Sequence, residues 1–162
     1  MPKRVLLVAA TTGYQIRVFE TAARQMGLDV ILATDRCDHL DDPWGDNALP
    51  VRFERPDEAV RTLAGITPKP DAIVAVADRP AHLAALAAAA MGLRFHPHEA
   101  VRASRNKFLA REHFRRAGLL VPEYFQVPAN SNAPEAARSA RFPCVLKPLG
   151  LSASRGVIRA ND

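Results

Sequence analysis

Three continuous apolar runs, Val5–Ala10, Val30–Ala33 and Ala72–Ala77, recur through the first hundred residues with helix-patterned segments between them. Strands that read as unbroken apolar runs are covered on both faces, which calls for helices above and below a mostly parallel sheet. The intervening segments supply those helices. Ile16, Phe19, Ala23 and Met26 share one helical face, and Gly27 marks its end. Pro56, Asp57 and Glu58 suit the first turn of a second helix, whose stripe is Val60, Leu63 and Ala64. A third follows Pro80, with Leu83, Leu86, Ala87, Ala90 and Met91 on one face and Gly92 beyond. The stretch Asp35–Pro50 reads as a loop. The expected class for this part is α/β.

The pattern changes after Phe95. Residues 97–117 read as two helical pieces broken near Ser104 or Asn106. Pro122–Val127, Cys144–Leu149 and Gly156–Ala160 then read as strands, with a small helix around Glu135–Ser139. Strands joined by a short loop pair antiparallel, so this is a different architecture, and the boundary is expected at 1–103 and 104–162. A two-stranded hairpin is marginal alone. The second unit is therefore expected to be unfinished, the chain being the amino-terminal fragment of a longer protein.

Composition narrows the function. With 48% hydrophobic and 24% charged residues the chain is globular rather than disordered. The cysteines Cys37 and Cys144 lie far apart, which fits neither a disulfide scaffold nor a close-spaced metal site. The Ala-rich stretch His82–Leu93 is too short to span a bilayer, and Val5–Ala10 leads into no cleavage pattern, so a cytoplasmic location away from membranes is expected. The net charge is +5. Arg102, Arg105, Lys107, Arg111, Arg115 and Arg116 face a single acid, Glu112, between residues 102 and 116. Such a stripe favours acidic partners such as nucleotides, phosphorylated metabolites or nucleic acids.

Three features could carry chemistry. With Ser104 as N-cap, Arg105 and Lys107 fall in a first turn, where cations are disfavoured unless an anion is shared with the free N–H groups; the alternative is that both extend into water. Lys147 lies in Phe142-Pro-Cys-Val-Leu-Lys-Pro-Leu, a largely apolar strand. A lysine buried there needs a counter-charge, whereas an edge strand would let it reach solvent. After it comes Gly150-Leu-Ser-Ala-Ser-Arg-Gly156, whose backbone N–H groups, with Ser152, Ser154 and Arg155, could cradle an anion or form an ordinary polar loop. Neither the Walker lysine spacing nor a Gly-x-Gly-x-x-Gly run is present.

In order, Ala103-Ser-Arg-Asn-Lys-Phe-Leu-Ala-Arg-Glu-His-Phe-Arg-Arg-Ala-Gly-Leu-Leu-Val-Pro, Phe142-Pro-Cys-Val-Leu-Lys-Pro and Ser154-Arg-Gly-Val resemble the amino-terminal part of the ATP-grasp superfamily. The first residues likewise resemble the Rossmann-like preATP-grasp domain, so the resemblance covers the whole chain. It implies a Rossmann-like parallel sheet followed by an incomplete α+β ATP-grasp subdomain. It also implies that Lys107 and Lys147 approach ATP phosphates and that Gly150–Gly156, with Ser152, Ser154 and Arg155, closes over them. The implied reaction activates a small-molecule carboxylate as an acyl phosphate and joins it to an amine. The loop is poorer in glycine than in many members and is similar to a Ser/Arg-containing subgroup that includes carbamoyl-phosphate-synthase-like proteins. Members bind magnesium through acids near the end of the domain, so Mg ligands are expected downstream of this chain and residues 1–162 alone are expected not to catalyse ligation.

Other residues are assigned bland roles. His96 and His98 are expected to sit in a connecting loop rather than bind metal, and His113 at the surface. Trp44 is expected to anchor its loop. Phe108 and Phe114 are expected in the core. Asp78-Arg79-Pro80 follows the third strand, where ligands of open sheets sit, though an N-cap role explains Asp78 as well. The competing readings are a non-catalytic nucleotide- or nucleic-acid-binding module using the Arg102–Arg116 stripe, and a homodimer formed by strand pairing.

Overall fold

The computed structural model describes residues 2–11, 15–36 and 48–162. Trp44 and Cys37, for which roles were considered above, lie outside the described residues. Two compact units divide the chain, Met1–Val101 and Arg102–Asp162.

The first unit is the expected α/β layer structure. Strands β1 (Arg4–Ala9), β2 (Asp29–Thr34), β3 (Leu49–Pro50) and β4 (Ala72–Val76) form one parallel sheet in the order β3-β2-β1-β4. Its helices are α1 (Ile16–Gln25), α2 (Pro56–Ala64) and α3 (Asp78–Met91). Because successive side chains of a strand point to opposite faces, β1 serves two cores. Leu6 and Val8 join Ala33, Ile73, Leu63 and Leu83 on the face covered by α2 and α3. Leu7 and Ala9 join Leu32 and Val76 on the other, with Ile16 of α1 against them. The continuous apolar runs are thus explained by burial on both sides.

Small residues set the spacing of one layer. Ala84, Ala87 and Ala88 of α3 are fully buried in the core shared by α2, α3 and the sheet. Gly92, at φ 62°, ends α3 in the left-handed conformation, and the Leu93 amide donates to the Ala88 carbonyl at 2.8 Å. Two expectations fail here. The loop assigned to Asp35–Pro50 contains β3, a two-residue extension at the sheet edge that is too short to leave a periodic signal. Asp78 is not an N-cap: α3 begins at Asp78 itself, after Ala77 at φ 82° and ψ 171°.

The second unit holds α5 (Lys107–Arg116), α6 (Ala133–Arg138) and an antiparallel pair, β5 (Cys144–Leu146) with β6 (Ile158–Ala160). Helix α4 (His98–Ser104) precedes α5, with the break where the sequence placed it. The cap of α5 is Asn106, not Ser104: its side chain accepts from the amides of Phe108 and Leu109 at 3.0 and 3.1 Å. Lys107 is consequently the first helical residue. Pro122–Val127 is not a strand; the described residues offer it no ladder partner, and alternation alone does not make a strand.

Burial differs sharply between the units. Both buried hydrophobic clusters lie in the first. In the second, Leu120 is fully exposed, and Val145, Leu146 and Ile158 of the hairpin are more than half exposed. Of the two alternatives for Lys147, a buried lysine with a counter-charge or one that reaches solvent, the structure shows the second. Its apolar neighbours are real, but nothing among the described residues packs over them, and Lys147 is exposed. Phe114, expected in the core, is half exposed for the same reason.

Candidate functional site

The loop between β5 and β6 is built by constraints at both ends. Gly156 has φ 67°, and a Cβ on it would stand 2.8 Å from the Cγ of Pro148. Ala153 and Ser154 also adopt left-handed backbone, at φ 55° and 58°. Non-glycine residues pay for that conformation in strain and persist in it only where surrounding contacts hold them. The Arg155 amide and its Nε both donate to the Ser152 carbonyl at 3.3 Å, and the Val157 amide donates to the Ser154 carbonyl at 3.3 Å.

Lys107 reaches this loop from α5. Its Nζ donates to the carbonyls of Pro148 at 2.9 Å, Leu149 at 3.3 Å and Leu151 at 2.5 Å. Its backbone amide also donates to the Leu149 carbonyl at 3.2 Å. All three ammonium protons thus have acceptors. The sequence reading, a cation extended into water or shared with an anion, did not foresee carbonyl partners more than forty residues away. Lys147 comes to the same place by covalent connection, directly before Pro148. It makes no hydrogen bond or ion pair among the described residues. Gly150, Ser152, Ser154, Arg155 and Gly156 complete the loop, all exposed.

A second anchored segment lies on α5. The Tyr124 hydroxyl donates to Glu112 Oε1 at 2.6 Å, and Arg115 donates to both oxygens of Glu112 at 2.9 and 2.7 Å. Arg111 lies 5.4 Å from the Tyr124 ring centroid, and Phe108 meets that ring edge-on. The Tyr124 hydrogen bond, with the arginines beside it, holds the Glu112 carboxyl below its usual range. The same bond pushes the Tyr124 phenol up. Part of the basic stripe is therefore spent internally, on Glu112 and Tyr124.

In the first unit, the carboxyl ends of the strands gather a separate polar group. The strand order reverses between β1 and β4, the kind of position at which ligands of open α/β sheets bind. Thr11 after β1 donates to Asp35 Oδ1 from its amide at 2.7 Å and its hydroxyl at 2.9 Å. Burial pushes the Asp35 carboxyl up, but these two bonds, its own backbone amide and the charge of Arg79 together outweigh it and leave the carboxyl below its usual range. Arg79, a candidate from the sequence, is paired with Glu54, and its guanidinium stands 5.5 Å from the Phe53 ring centroid. Thr11, Asp35 and Glu54 were not singled out from sequence. The position of Thr11 and Asp35 just past the first two strands was the signal available.

No group of three or more His, Cys, Asp or Glu side chains lies together among the described residues. The His98 ring packs on His82, with centroids 4.9 Å apart. His113 is exposed, as expected. No described helix is long and apolar enough to cross a membrane.

No protein-family profile and no curated protein matches this sequence. Solved structures do. The fold matches part of that of several ATP-grasp superfamily ligases, and its parallel sheet is consistent with the Rossmann-like preATP-grasp region. An L-amino acid ligase from Bacillus licheniformis superposes with a TM-score of 0.73 at 22% identity, over 100% of this chain and 40% of its own. An N5-carboxyaminoimidazole ribonucleotide synthetase in its ADP complex gives 0.73 at 18% identity, over 100% of this chain and 42% of its own. An N5-carboxyaminoimidazole synthase from Aspergillus clavatus, in complex with ADP and 5-aminoimidazole ribonucleotide, gives 0.70 at 25% identity, over 99% and 41%. The chain spans about two fifths of the length of these structures.

Proposed function

We propose that this chain is the amino-terminal portion of an ATP-dependent ligase that activates a carboxylate as an acyl phosphate for attack by an amine. Its second unit would contribute part of the phosphate site for ATP. The observation that carries this reading is the contact of the Lys107 ammonium with the Pro148–Leu151 backbone, which follows Lys147 in the chain and leads into the Gly150–Gly156 loop. Phosphoryl transfer asks a protein chiefly for positioning and for neutralisation of phosphate charge. Lys147, the Ser152 and Ser154 hydroxyls, Arg155 and the amides of Gly150 and Gly156 are the donors available for it. Two of the similar structures hold ADP, which supports a nucleotide as the ligand.

The exposed hairpin supports the reading of a partial domain. Val145, Leu146 and Ile158 are the apolar surface that a further layer of the same domain would cover. A magnesium ion would bridge the phosphates and neutralise their charge when bound. The described residues bring together no cluster of acidic side chains for it, so the proposal draws its ligands from other parts of the protein.

Calorimetric titration with ATP tests the reading. Weak binding that Lys147→Ala lowers further, with no ligase or ATPase turnover by residues 1–162, is expected. Substantial turnover by these residues, or identical binding by Lys147→Ala, would contradict it. The nucleic-acid alternative predicts salt-sensitive binding to RNA or DNA through the Arg102–Arg116 stripe. The internal use of Arg111 and Arg115 counts against it.

A further inference from the structure

Helix α1 meets the sheet with one side only. Ile16 packs on the second core cluster, and Glu20 and Ala23, which share that side of the helix, are half-buried. No residue of α1 is fully buried. The opposite side is open. There Val18, Thr21, Ala22 and Gln25 line, with Arg17, a depression whose walls all come from this one helix. The four are spaced i, i+3, i+4 and i+7, the diamond into which a single side chain of a facing helix inserts. Thr21 and Ala22 are small and leave its centre low. Val18, 67% exposed, stands at one corner, and Met26, 72% exposed, continues the Val18–Ala22 row just past the helix end. A small molecule needs walls on most sides, which one helix does not supply. A knob from another helix does not.

Charge decides what kind of helix fits. Arg17 and Arg24, seven residues apart, form a row along one flank of the diamond. Neither makes a hydrogen bond or ion pair among the described residues. Arg24 lies in the last turn, where a cation complements the helix dipole. Arg17 lies in the first turn, where a cation is disfavoured, and α1 carries no acid there to offset it. An incoming carboxylate would. We propose that the outer face of α1 docks an acidic amphipathic helix of a partner protein. An apolar side chain of that helix fills the hole between Val18, Thr21, Ala22 and Gln25, and its carboxylates run along Arg17 and Arg24. A second copy of α1 is the poorer occupant. About a two-fold axis perpendicular to the helix, like flank meets like flank, which sets the arginines of one copy beside those of the other.

The surface is tested on the full chain with two synthetic peptides of about three heptads. Both carry leucine at positions a and d; one has glutamate and the other lysine at e and g. The acidic peptide is expected to bind and to shift the amides of Val18, Thr21, Ala22 and Gln25, and the basic peptide is expected not to bind. Ala22→Gln fills the hole with an uncharged side chain at an exposed site and should weaken the acidic peptide about tenfold. Arg17→Glu combined with Arg24→Glu should exchange the preference, so that the basic peptide binds in place of the acidic one. Circular dichroism of these variants should match wild type, since the replaced side chains lie outside both core clusters. Equal binding of the two peptides, shifts confined to the exposed hairpin, or no binding of either at about 1 mM overturns the proposal. Self-association of the wild-type chain that Ala22→Gln abolishes overturns it too, because the occupant is then a second copy.

Discussion

Gly156 and Pro148 close the two ends of one loop against each other, at a separation that leaves no room for a side chain on Gly156. The same proline offers its carbonyl to Lys107. One residue thus receives the loop's closing contact on its ring and the helix's contact on its backbone. Replacing Gly156 by Ala should force both the left-handed φ of 67° and the contact with Pro148 to give way. A cost of about 1–2 kcal/mol from the backbone alone is expected, with more from the steric clash. Amide chemical shifts along β5 and β6 and a denaturant titration would register it. A variant with wild-type shifts and stability would show that the loop closes differently.

The Glu112–Tyr124 bond should fail at both ends of the pH scale. The Glu112 carboxyl is held below its ordinary 4.5, so what it contributes is complete above that value and is lost as pH falls through the depressed one. The Tyr124 phenol is held above its ordinary 10.0, so its contribution is complete below that value and disappears as pH rises through the elevated one. Ring resonances of Tyr124 should therefore be constant across the neutral range and shift at each extreme. Tyr124→Phe should abolish the alkaline change and shrink the acid one, since Arg115 still pairs with Glu112. An acid limb of undiminished size in that variant would argue against the assignment.

Two leucines should report the contrast between the units. Leu63 is fully buried in the first, so Leu63→Ala is expected to cost about 2–5 kcal/mol in urea unfolding. Leu120 is fully exposed in the second, so Leu120→Ala should stay within about 0.5 kcal/mol. A large penalty at Leu120 would mean that in solution the side chain is covered.

Asn106 offers a local measure of α5. Its side chain accepts from two amides, and Asn106→Ala is expected to cost about 1 kcal/mol, with Asn106→Asp close to neutral. Helical content by circular dichroism and the thermal midpoint would check it; an alanine variant as stable as wild type would move the cap elsewhere.

How far these features could be read from the chain follows from their range. The strands β1, β2 and β4 announce themselves as unbroken apolar runs and the helices α1, α2 and α3 by a local period, each legible in a few consecutive residues. β3 does not, since two residues carry no period. Ser104 and Asn106 are both residues that cap helices, and which one does so depends on where α4 ends. The apolar run at Cys144–Leu149 suggested burial, yet burial needs a partner layer, which no run of residues can supply by itself. The hardest feature was the arrangement at Lys107. Residue type made it a cation near an expected helix start and the resemblance gave it a phosphate. Its observed partners are backbone oxygens, identical in every residue, whose direction is set only when a loop some forty positions later is folded.

The alanines of α3 have a bearing on how this molecule can change. Ala84, Ala87 and Ala88 are fully buried among the larger side chains of one core, so at each of them a methyl group is all the space in use. A bulkier residue at any of them cannot be absorbed by turning a neighbour aside. It must shift a helix of about four turns within the core, and with it Asp78 and Arg79 in the first turn. Repair would then require compensating deletions on β1 or β4, so these sites can drift only in concert.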